Sequence, residues 1–406
     1  MREMKDSGIE WIGEIPKEWG ITNFGNVSEI FGRIGFRGYT TNDLVGKGDG
    51  PITLSPSNII ENKLSLDNCS YISWEKYEES PEIKIYKNDI ILVKTASVGK
   101  CAIYNSQEPA TLNPQLVVLK KIKCNSKYLY YQIISDIIQV PIMLDNFGSV
   151  IPTITQKNLK CYKIVFPPTA EQQKISTYLD TKCTKIDSII EKQEKVIEKL
   201  KEYKLSVITE AVTKGLNPDV KMKDSGVEWI GEIPEEWEVI KAKYCVLITN
   251  GSDPKTEGNI PVYGSGSSSF KTCGEFKEGP CVLIGRKGAT LHIPHYILGK
   301  YWNVDTAFDV KSLDRILLKF YYFLAICFDY KIFMSQTTLP SMTQTAYENM
   351  ILPIPSIEEQ TDICNYLDKK CSAIDKSIEQ KQAIIEKLKE YKKSLIYEVV
   401  TGKREV

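Results

Sequence analysis

The longest regular pattern of hydrophobic positions lies in residues 169–213 and returns in residues 357–401. In both segments these positions alternate at spacings of four and three, with no internal glycine or proline. The positions are Leu179, Cys183, Ile186, Ile190, Gln193, Ile197, Leu200, Lys204, Val207 and Ala211 in the first segment and Leu367, Cys371, Ile374, Ile378, Lys381, Ile385, Leu388, Lys392, Leu395 and Val399 in the second. Such a heptad repeat predicts a left-handed coiled coil. A lone helix of roughly 60 Å would expose this stripe to water, so we expect the two helices to pack together.

A second repeat stands at the start of each half of the chain, before the variable region and the helical segment. Residues 4–19, MKDSGIEWIGEIPKEW, return as residues 222–237, MKDSGVEWIGEIPEEW, with two differences. Ser7 and Glu10 form a capping-box pattern that predicts a short helical turn, stopped by Gly13 and Pro16. We expect this segment to pack as a structural clip. Residues 20–147 and 238–335 share little, so functions that differ between the halves must lie there.

The repeats predict an α+β protein with a pseudo-twofold internal repeat, in which two α/β domains are joined by two long antiparallel coiled-coil helices. The boundaries follow the proline breaks and the ends of the helical pattern. The predicted segments are residues 1–168 for the first domain, 169–215 for the first helix, 216–356 for the second domain and 357–406 for the second helix.

Each variable region contains a predicted buried strand that ends in a basic loop of small residues. The two segments are DIILVKTASVGK at residues 89–100 and PCVLIGRKGAT at residues 280–290. Small residues let backbone amides approach a phosphate, and adjacent cations would hold it. The candidate groups are Lys94, Thr95, Ser97 and Lys100 in the first loop and Arg286, Lys287 and Thr290 in the second. The alternative for either loop alone is a well-solvated turn.

A Pro-x-x-Thr-Gln sequence stands before each long helix. Its glutamines, Gln156 and Gln344, could pair bidentately with adenine. Equally, Pro152 and Pro340 could merely shape the start of the helix, and a repeated glutamine cannot explain two different specificities. The candidates for base readout are therefore the polar residues that the halves do not share, namely Arg33, Arg37, Asn113 and Gln115 in the first domain and Asn250, Ser265, Ser267 and Ser268 in the second.

Composition limits the other classes of function. The net charge is zero, but residues 20–167 carry 16 basic and 13 acidic side chains and residues 238–355 carry 12 and 10, which allows a local DNA-binding face. The eleven cysteines include no C-x-x-C pair and are expected to be reduced core residues. His292 and His295 lack a third metal ligand nearby.

No phosphate-binding glycine loop, nucleophile elbow or other catalytic pattern is found in the sequence. We therefore expect no catalytic residue in this chain. No apolar run of about eighteen residues and no signal-peptide pattern occur either, so we expect a cytoplasmic protein without membrane spans.

Taken together, the duplicated KDSGIEWIGEIPKEW and KDSGVEWIGEIPEEW, the FPPTAEQQKI and IPSIEEQTDI starts of the long helices and the two unlike domains resemble the specificity subunit of type I restriction-modification systems. The resemblance covers essentially the whole chain. It implies two target recognition domains that each bind one half of a split sequence in double-stranded DNA, with the two helices as a spacer. On this sequence it places the recognition loops at residues 94–100 and 286–290.

The resemblance also implies partners that carry the chemistry. Two modification subunits would bring S-adenosylmethionine and methylate adenine, and restriction subunits that use ATP and Mg²⁺ could join them; no cofactor is expected on this chain. The contrasting hypothesis is a coiled-coil scaffold or adaptor without DNA recognition, which would leave the matched basic loops unexplained.

Overall fold

The computed structural model describes residues 2–33, 35, 38–266, 268–333, 335 and 340–406. They form two compact units, Met1–Glu191 with Ile384–Val406 and Lys192–Ala383. The boundaries of the units fall inside the two long helices, because one part of each helix packs within each unit.

The first unit contains the first variable region. Its helices are α1 (Phe24–Val27), α2 (Trp74–Glu78), α3 (Ser126–Ile134), α4 (Asp136–Asp145), α5 (Gln156–Cys161) and the start of α6 (Thr169–Lys214). Its strands are β1 (Met4–Asp6), β2 (Glu14–Pro16), β3 (Gly20–Asn23), β4 (Glu29–Gly32), β5 (Leu44–Val45), β6 (Ile52–Leu54), β7 (Ile59–Ile60), β8 (Lys63–Leu64), β9 (Ser70–Ile72), β10 (Ile90–Val93), β11 (Cys101–Ile103), β12 (Ala110–Leu112), β13 (Leu116–Lys120) and β14 (Lys163–Phe166).

The second unit contains the second variable region. Its helices, besides the end of α6, are α7 (Leu318–Cys327), α8 (Tyr330–Phe333), α9 (Gln344–Glu348) and the start of α10 (Ile357–Val400). Its strands are β15 (Met222–Asp224), β16 (Glu232–Pro234), β17 (Glu238–Lys241), β18 (Val246–Asn250), β19 (Ile260–Tyr263), β20 (Lys271–Cys273), β21 (Lys277–Glu278), β22 (Cys281–Gly285), β23 (His295–Ile297), β24 (Lys300–Asn303), β25 (Ala307–Ser312) and β26 (Ile351–Ile354).

The two variable regions share the strand order of one four-stranded sheet although their sequences differ. One four-stranded sheet has the order β11-β10-β13-β4 in the first unit and β23-β22-β25-β18 in the second. A second sheet in each unit contains a parallel pair, β6 with β12 and β19 with β24. Strands β10 and β22 are buried along their whole length, as their continuous apolar runs predict. The internal repeat predicted from the sequence is thus confirmed in the fold.

The long helices are antiparallel within each unit. In the first unit Asp187 on α6 forms an ion pair of 2.6 Å with Lys392 on α10. In the second unit Lys204 and Asp375 repeat this pair, also at 2.6 Å, with the two helices exchanged. Leu179 and Leu367 are fully buried, and the other predicted heptad positions are buried or half-buried. Because the polar heptad positions are paired, they do not interrupt the coiled coil.

The repeated N-terminal segment is a β-hairpin whose loop contains the short helical turn predicted from Ser7 and Glu10. The amides of Ile12 and Gly13 both donate to the Ile9 carbonyl, at 3.0 and 2.8 Å. Strand β1 pairs with β2, and β15 pairs with β16 in the same register. Gly8 and Gly13 adopt left-handed φ values of 71° and 67° on either side of this turn, and Gly13 ends it. The Asp6 side chain accepts a hydrogen bond from the Gly8 amide at 2.9 Å and stabilises the turn.

Each hairpin packs against a long helix and is the structural clip that its tryptophans predict. The indole of Trp19 donates to the Glu171 carboxylate at 2.5 Å, and Trp237 donates to Glu359 at 3.0 Å. Both tryptophans are almost fully buried. The hairpins therefore fix the first turns of the long helices.

Candidate nucleic-acid interface

The basic loop of the first unit is hydrogen-bonded to the Pro-x-x-Thr-Gln segment. After strand β10, the Lys94 amide donates to the Gln115 carbonyl at 2.9 Å. The Lys94 carbonyl accepts from the Ile154 amide at 2.8 Å, and the Ala96 amide donates to the Pro152 carbonyl at 2.9 Å. The structure thus brings together two loops that the sequence places about 60 residues apart.

The second unit makes the same three hydrogen bonds with different residues. The Arg286 amide donates to the Thr306 carbonyl at 2.8 Å, and the Arg286 carbonyl accepts from the Met342 amide at 2.9 Å. The Gly288 amide donates to the Pro340 carbonyl at 3.0 Å. We refer to this three-bond arrangement as the loop frame. The loop frame is thus shared by the two units, although the side chains of its residues differ.

Both frames place one residue in the left-handed backbone region. Ala96 has a φ of 67° and Gly288 a φ of 115°. Glycine adopts this region freely, whereas an alanine is strained there by about 1–2 kcal/mol. The presence of Ala96 where the second loop has Gly288 therefore has a conformational cost but leaves the frame intact.

The cationic side chains of the loops are at least partly exposed. Lys100 is exposed, and Lys94 is half-buried. The Arg286 guanidinium donates to the Asp305 carbonyl at 3.3 Å, and the Lys287 ammonium lies 3.7 Å from the Asp305 carboxylate. In the second unit, one acidic residue therefore positions two cations beside the loop frame.

Gln156 and Gln344 are bound to the edge of a strand in both units. With its amide oriented to satisfy both atoms, Gln156 donates to the Ile30 carbonyl at 3.2 Å and accepts from the Gly32 amide at 3.3 Å. Gln344 donates to the Ile248 carbonyl at 3.0 Å. These contacts occupy the carboxamides predicted to pair with adenine, and they favour the alternative in which the Pro-x-x-Thr-Gln segment shapes the start of the helix.

Arg33 is not placed for base readout. Its side chain is only 5% exposed, and it donates to the Leu112 carbonyl at 2.9 Å and to the Thr111 hydroxyl at 3.2 Å. Burial lowers the pKa of its guanidinium. Because these donors are used within the protein, the structure gives no support to the prediction that Arg33 reads a base.

Asn113 and Gln115 form a local pair directly beside Lys94. The Asn113 carboxamide donates to the Gln115 side chain at 3.2 Å and accepts from the Gln115 amide at 2.9 Å. Asn113 is nearly buried whereas Gln115 is exposed. Gln115 is therefore the better placed of the two for contact with a ligand, and Asn113 orients it.

The remaining candidates lie near the loops or outside the described residues. Asn250 is exposed and lies 3.5 Å from the Gln344 side-chain oxygen. A side chain added at Gly288 would meet the Ser265 hydroxyl at 2.9 Å, so Ser265 adjoins the second frame. The other described candidates are half-buried or exposed, namely Thr95, Ser97, Ser268 and Thr290. Arg37 and Ser267 lie outside the described residues.

Sequence reasoning missed an exposed apolar segment next to the first frame. Its members are Met143, Leu144, Phe147, Val150 and Ile151, which lie in or directly after α4 and before Pro152. The signal was available in the sequence MLDNFGSVI, where apolar residues flank a glycine directly before the Pro-x-x-Thr-Gln segment.

The cysteines and histidines form no reactive centre in the part of the chain that the structure describes. All eleven cysteines are free, and burial raises the pKa of Cys281 to about 12, which disfavours its thiolate. Burial also lowers the pKa of the half-buried His295. Within the described ranges, no cluster of three His, Cys, Asp or Glu side chains could hold a metal ion.

Comparison with known proteins agrees with this geometry. A sequence model for the type I restriction modification DNA specificity domain matches residues 16–199 and 234–390. The chain belongs to this family. Each of the two matches covers one variable region and most of the helix that follows it, so the chain is a tandem repeat of the specificity domain.

Two relatives of this specificity protein come from Methanocaldococcus jannaschii. One, provisionally named the MjaX type I restriction enzyme specificity subunit, is 26% identical and covers 97% of this chain and 95% of its own length. The MjaVIII type I restriction enzyme specificity subunit is 25% identical over 79% of this chain and 80% of its own length.

A solved structure shares the fold of this specificity protein. It comes from work on complex assembly and conformational transition of the type I R-M system, and it is 14% identical with a TM-score of 0.71. The match covers 95% of this chain and 98% of the other. Specificity subunits of type I systems are non-catalytic, which is consistent with our assigning no catalytic residue to this chain. Among the helices of the described residues, none is both long and apolar enough to span a membrane.

Proposed function

We propose that this protein reads a bipartite sequence in double-stranded DNA, with one half-site bound by each unit. The observation that carries the proposal is the loop frame. The same three backbone hydrogen bonds recur in both units, while the side chains that they present differ. A shared frame with unlike side chains suits a protein that meets the same phosphate backbone twice and reads two different base sequences.

Within each frame we assign different tasks to cations and to neutral polar groups. We assign contacts with phosphates or guanine edges to Lys94, Lys100, Arg286 and Lys287. Gln115 in the first unit and Asn250 in the second are exposed carboxamides beside these cations and are our leading candidates for base readout. Carboxamides can pair bidentately with adenine in the major groove.

The catalytic steps belong to partner subunits under this proposal. Two modification subunits would bind S-adenosylmethionine and methylate adenine, and restriction subunits would use ATP and Mg²⁺. Such a complex acts on chromosomal DNA, which in a prokaryote lies in the cytoplasm.

The long helices offer a surface on which the modification subunits could dock. On α6, the exposed apolar residues Ile189, Val196 and Tyr203 are spaced by seven, and on α10 Ile384 and Tyr391 repeat the last two of these positions. This second stripe lies outside the buried heptad positions and would add further helices to the coiled coil.

The proposal is tested by sequencing the methylated adenines of a methylation-deficient host that expresses this chain with its neighbouring methyltransferase. We expect one motif made of two defined half-sequences separated by a spacer of fixed length. A soluble complex that produces no methylated motif, and a chain that binds no DNA with partners present, would instead support a scaffold.

A further inference from the structure

An exposed apolar tip lies between the two supports of the first basic loop. The side chains of Phe147 and Val150 are 91% and 98% exposed, whereas a soluble protein normally covers aromatic side chains at least in part. Met143, Leu144 and Ile151 extend the exposed apolar surface around them. We call residues 146–151 the apolar tip.

The tip is held in place by side-chain hydrogen bonds at its base. The Asn146 carboxamide accepts from the Thr153 amide at 2.6 Å and donates to the Ile142 carbonyl at 2.8 Å. The neighbouring Asp145 carboxylate accepts from the Tyr162 hydroxyl at 2.6 Å. Because the base is tied on both sides, the apolar side chains are presented to solvent by a fixed support.

The same supports hold the basic loop. On one side the Gln139 side chain, on α4, donates to the Gly99 carbonyl at 3.1 Å. On the other side Pro152 accepts from the Ala96 amide, and Thr95 forms a β-bridge with Thr153. The apolar tip connects these two supports, so it adjoins the basic loop in space.

We propose that Phe147 and Val150 insert between base pairs of the half-site bound by the first unit. This inference rests on the proposed function. A duplex is the occupant that fits, because the exposed Lys100 and Lys157 and the half-buried Lys94 flank the tip and can hold the phosphates beside it. Proteins that kink DNA use the same combination of apolar wedges and adjacent basic residues.

The inference predicts that only one half-site is distorted. At the offset of 188 residues that relates Pro152 to Pro340, the sequence has Ser335 and Thr338 in place of Phe147 and Val150. A hydroxyl side chain offers little apolar surface to a base pair. The second half-site is therefore a matched internal reference for unstacking in the first.

The test uses the complex of the full chain with its modification subunits. The probes are DNA duplexes that contain the methylated motif. Each duplex carries one 2-aminopurine, placed at a position other than the methylated adenine so that base flipping by a partner does not contribute. We expect fluorescence to rise on binding at one step of the first half-site and at no step of the second.

The variants are Phe147→Ala, Val150→Ser and their combination, with Phe276→Ala as the control for loss of an exposed phenylalanine in the second unit. We expect the combined variant to abolish the fluorescence rise and to weaken binding on the order of tenfold, with Phe276→Ala changing neither. An unchanged rise in the combined variant would overturn the inference. The inference would also be overturned if the combined variant lost the modification subunits but kept the fluorescence rise. The tip would then be an interface with a protein.

Failure of the proposed function gives a different result. In that case the wild-type complex would not distinguish the motif from unrelated DNA. If wild type binds the motif specifically without any 2-aminopurine signal, only the wedge is wrong.

Discussion

The backbone amide of Ala96 donates to the carbonyl of Pro152 at 2.9 Å and so joins the basic loop to the segment that leads into the long helix. Gly288 and Pro340 repeat this bond at 3.0 Å in the second unit. The surface that we assign to DNA is therefore bonded to a segment that continues through α5 and β14 into the helix that we assign to spacing.

The left-handed residue of each frame gives a prediction about stability. We expect Ala96→Gly to raise the free energy of unfolding of the first unit by up to about 1 kcal/mol, because relief of strain exceeds the added freedom of the unfolded chain. Gly288→Ala should lower the free energy of unfolding of the second unit by roughly 1–3 kcal/mol. An alanine at φ 115° is strained, and its Cβ would approach the Ser265 hydroxyl. Calorimetric unfolding of both variants checks the signs; two effects of the same sign would contradict this account of the frame.

The repeated glutamines give a prediction that separates support from readout. Gln156→Ala and Gln344→Ala each remove hydrogen bonds to a strand edge and should lower stability by about 1 kcal/mol. The methylated motif should keep both half-sequences. If methylation sequencing of these variants showed relaxed recognition at an adenine, Gln156 and Gln344 would be adenine readers after all. In Gln115→Ala, by contrast, we do expect relaxed recognition.

The Asp187 ion pair gives a prediction about pH. Burial raises the pKa of Asp187, but hydrogen bonds and charge from Lys392 and Lys63 outweigh it, so the pKa is below its ordinary value. A carboxyl group with a lowered pKa in the folded state adds stability above its unfolded pKa, about 3.9. That contribution is lost as pH falls through the lower folded value.

We therefore expect Asp187→Asn to lower stability by about 1–3 kcal/mol at pH 7 and by progressively less as the pH falls below 4. Urea unfolding at a series of pH values measures the difference. Lys63→Met is the control, since Lys63 is 62% exposed and should contribute under about 1 kcal/mol. A constant difference between wild type and Asp187→Asn across pH would show that the charge is not responsible.

The exposed stripe on the helices gives a prediction about assembly. Tyr203→Ala combined with Tyr391→Ala should weaken copurification of the modification subunits by about tenfold or more, because buried aromatic anchors dominate such interfaces. Stability of the isolated chain should hardly change, since both side chains are about half exposed. Tyr244→Ala, which removes an equally exposed tyrosine away from these helices, should leave copurification intact. Equal yields from all three proteins would place docking elsewhere.

Periodicity and repetition predicted the long helices, since the heptad positions from Leu179 to Val399 are buried or half-buried as expected. The strands that end at the basic loops were also predictable, because β10 and β22 are continuous apolar runs. The β-hairpin of residues 4–16 could not be predicted in the same way. A capping-box pattern indicates only local structure, whereas the hairpin depends on the left-handed backbone of Gly8 and Gly13. Burial of Arg33 was equally hidden, since its partners Thr111 and Leu112 are distant in sequence.

The measurement that tests the central claim most directly is an exchange of residues 20–147 for the corresponding segment of a relative with another specificity, followed by methylation sequencing. Our account predicts that one half-sequence of the motif changes while the other half-sequence and the spacer stay the same. A motif in which both halves change, or neither does, would contradict the assignment of one half-site to each unit.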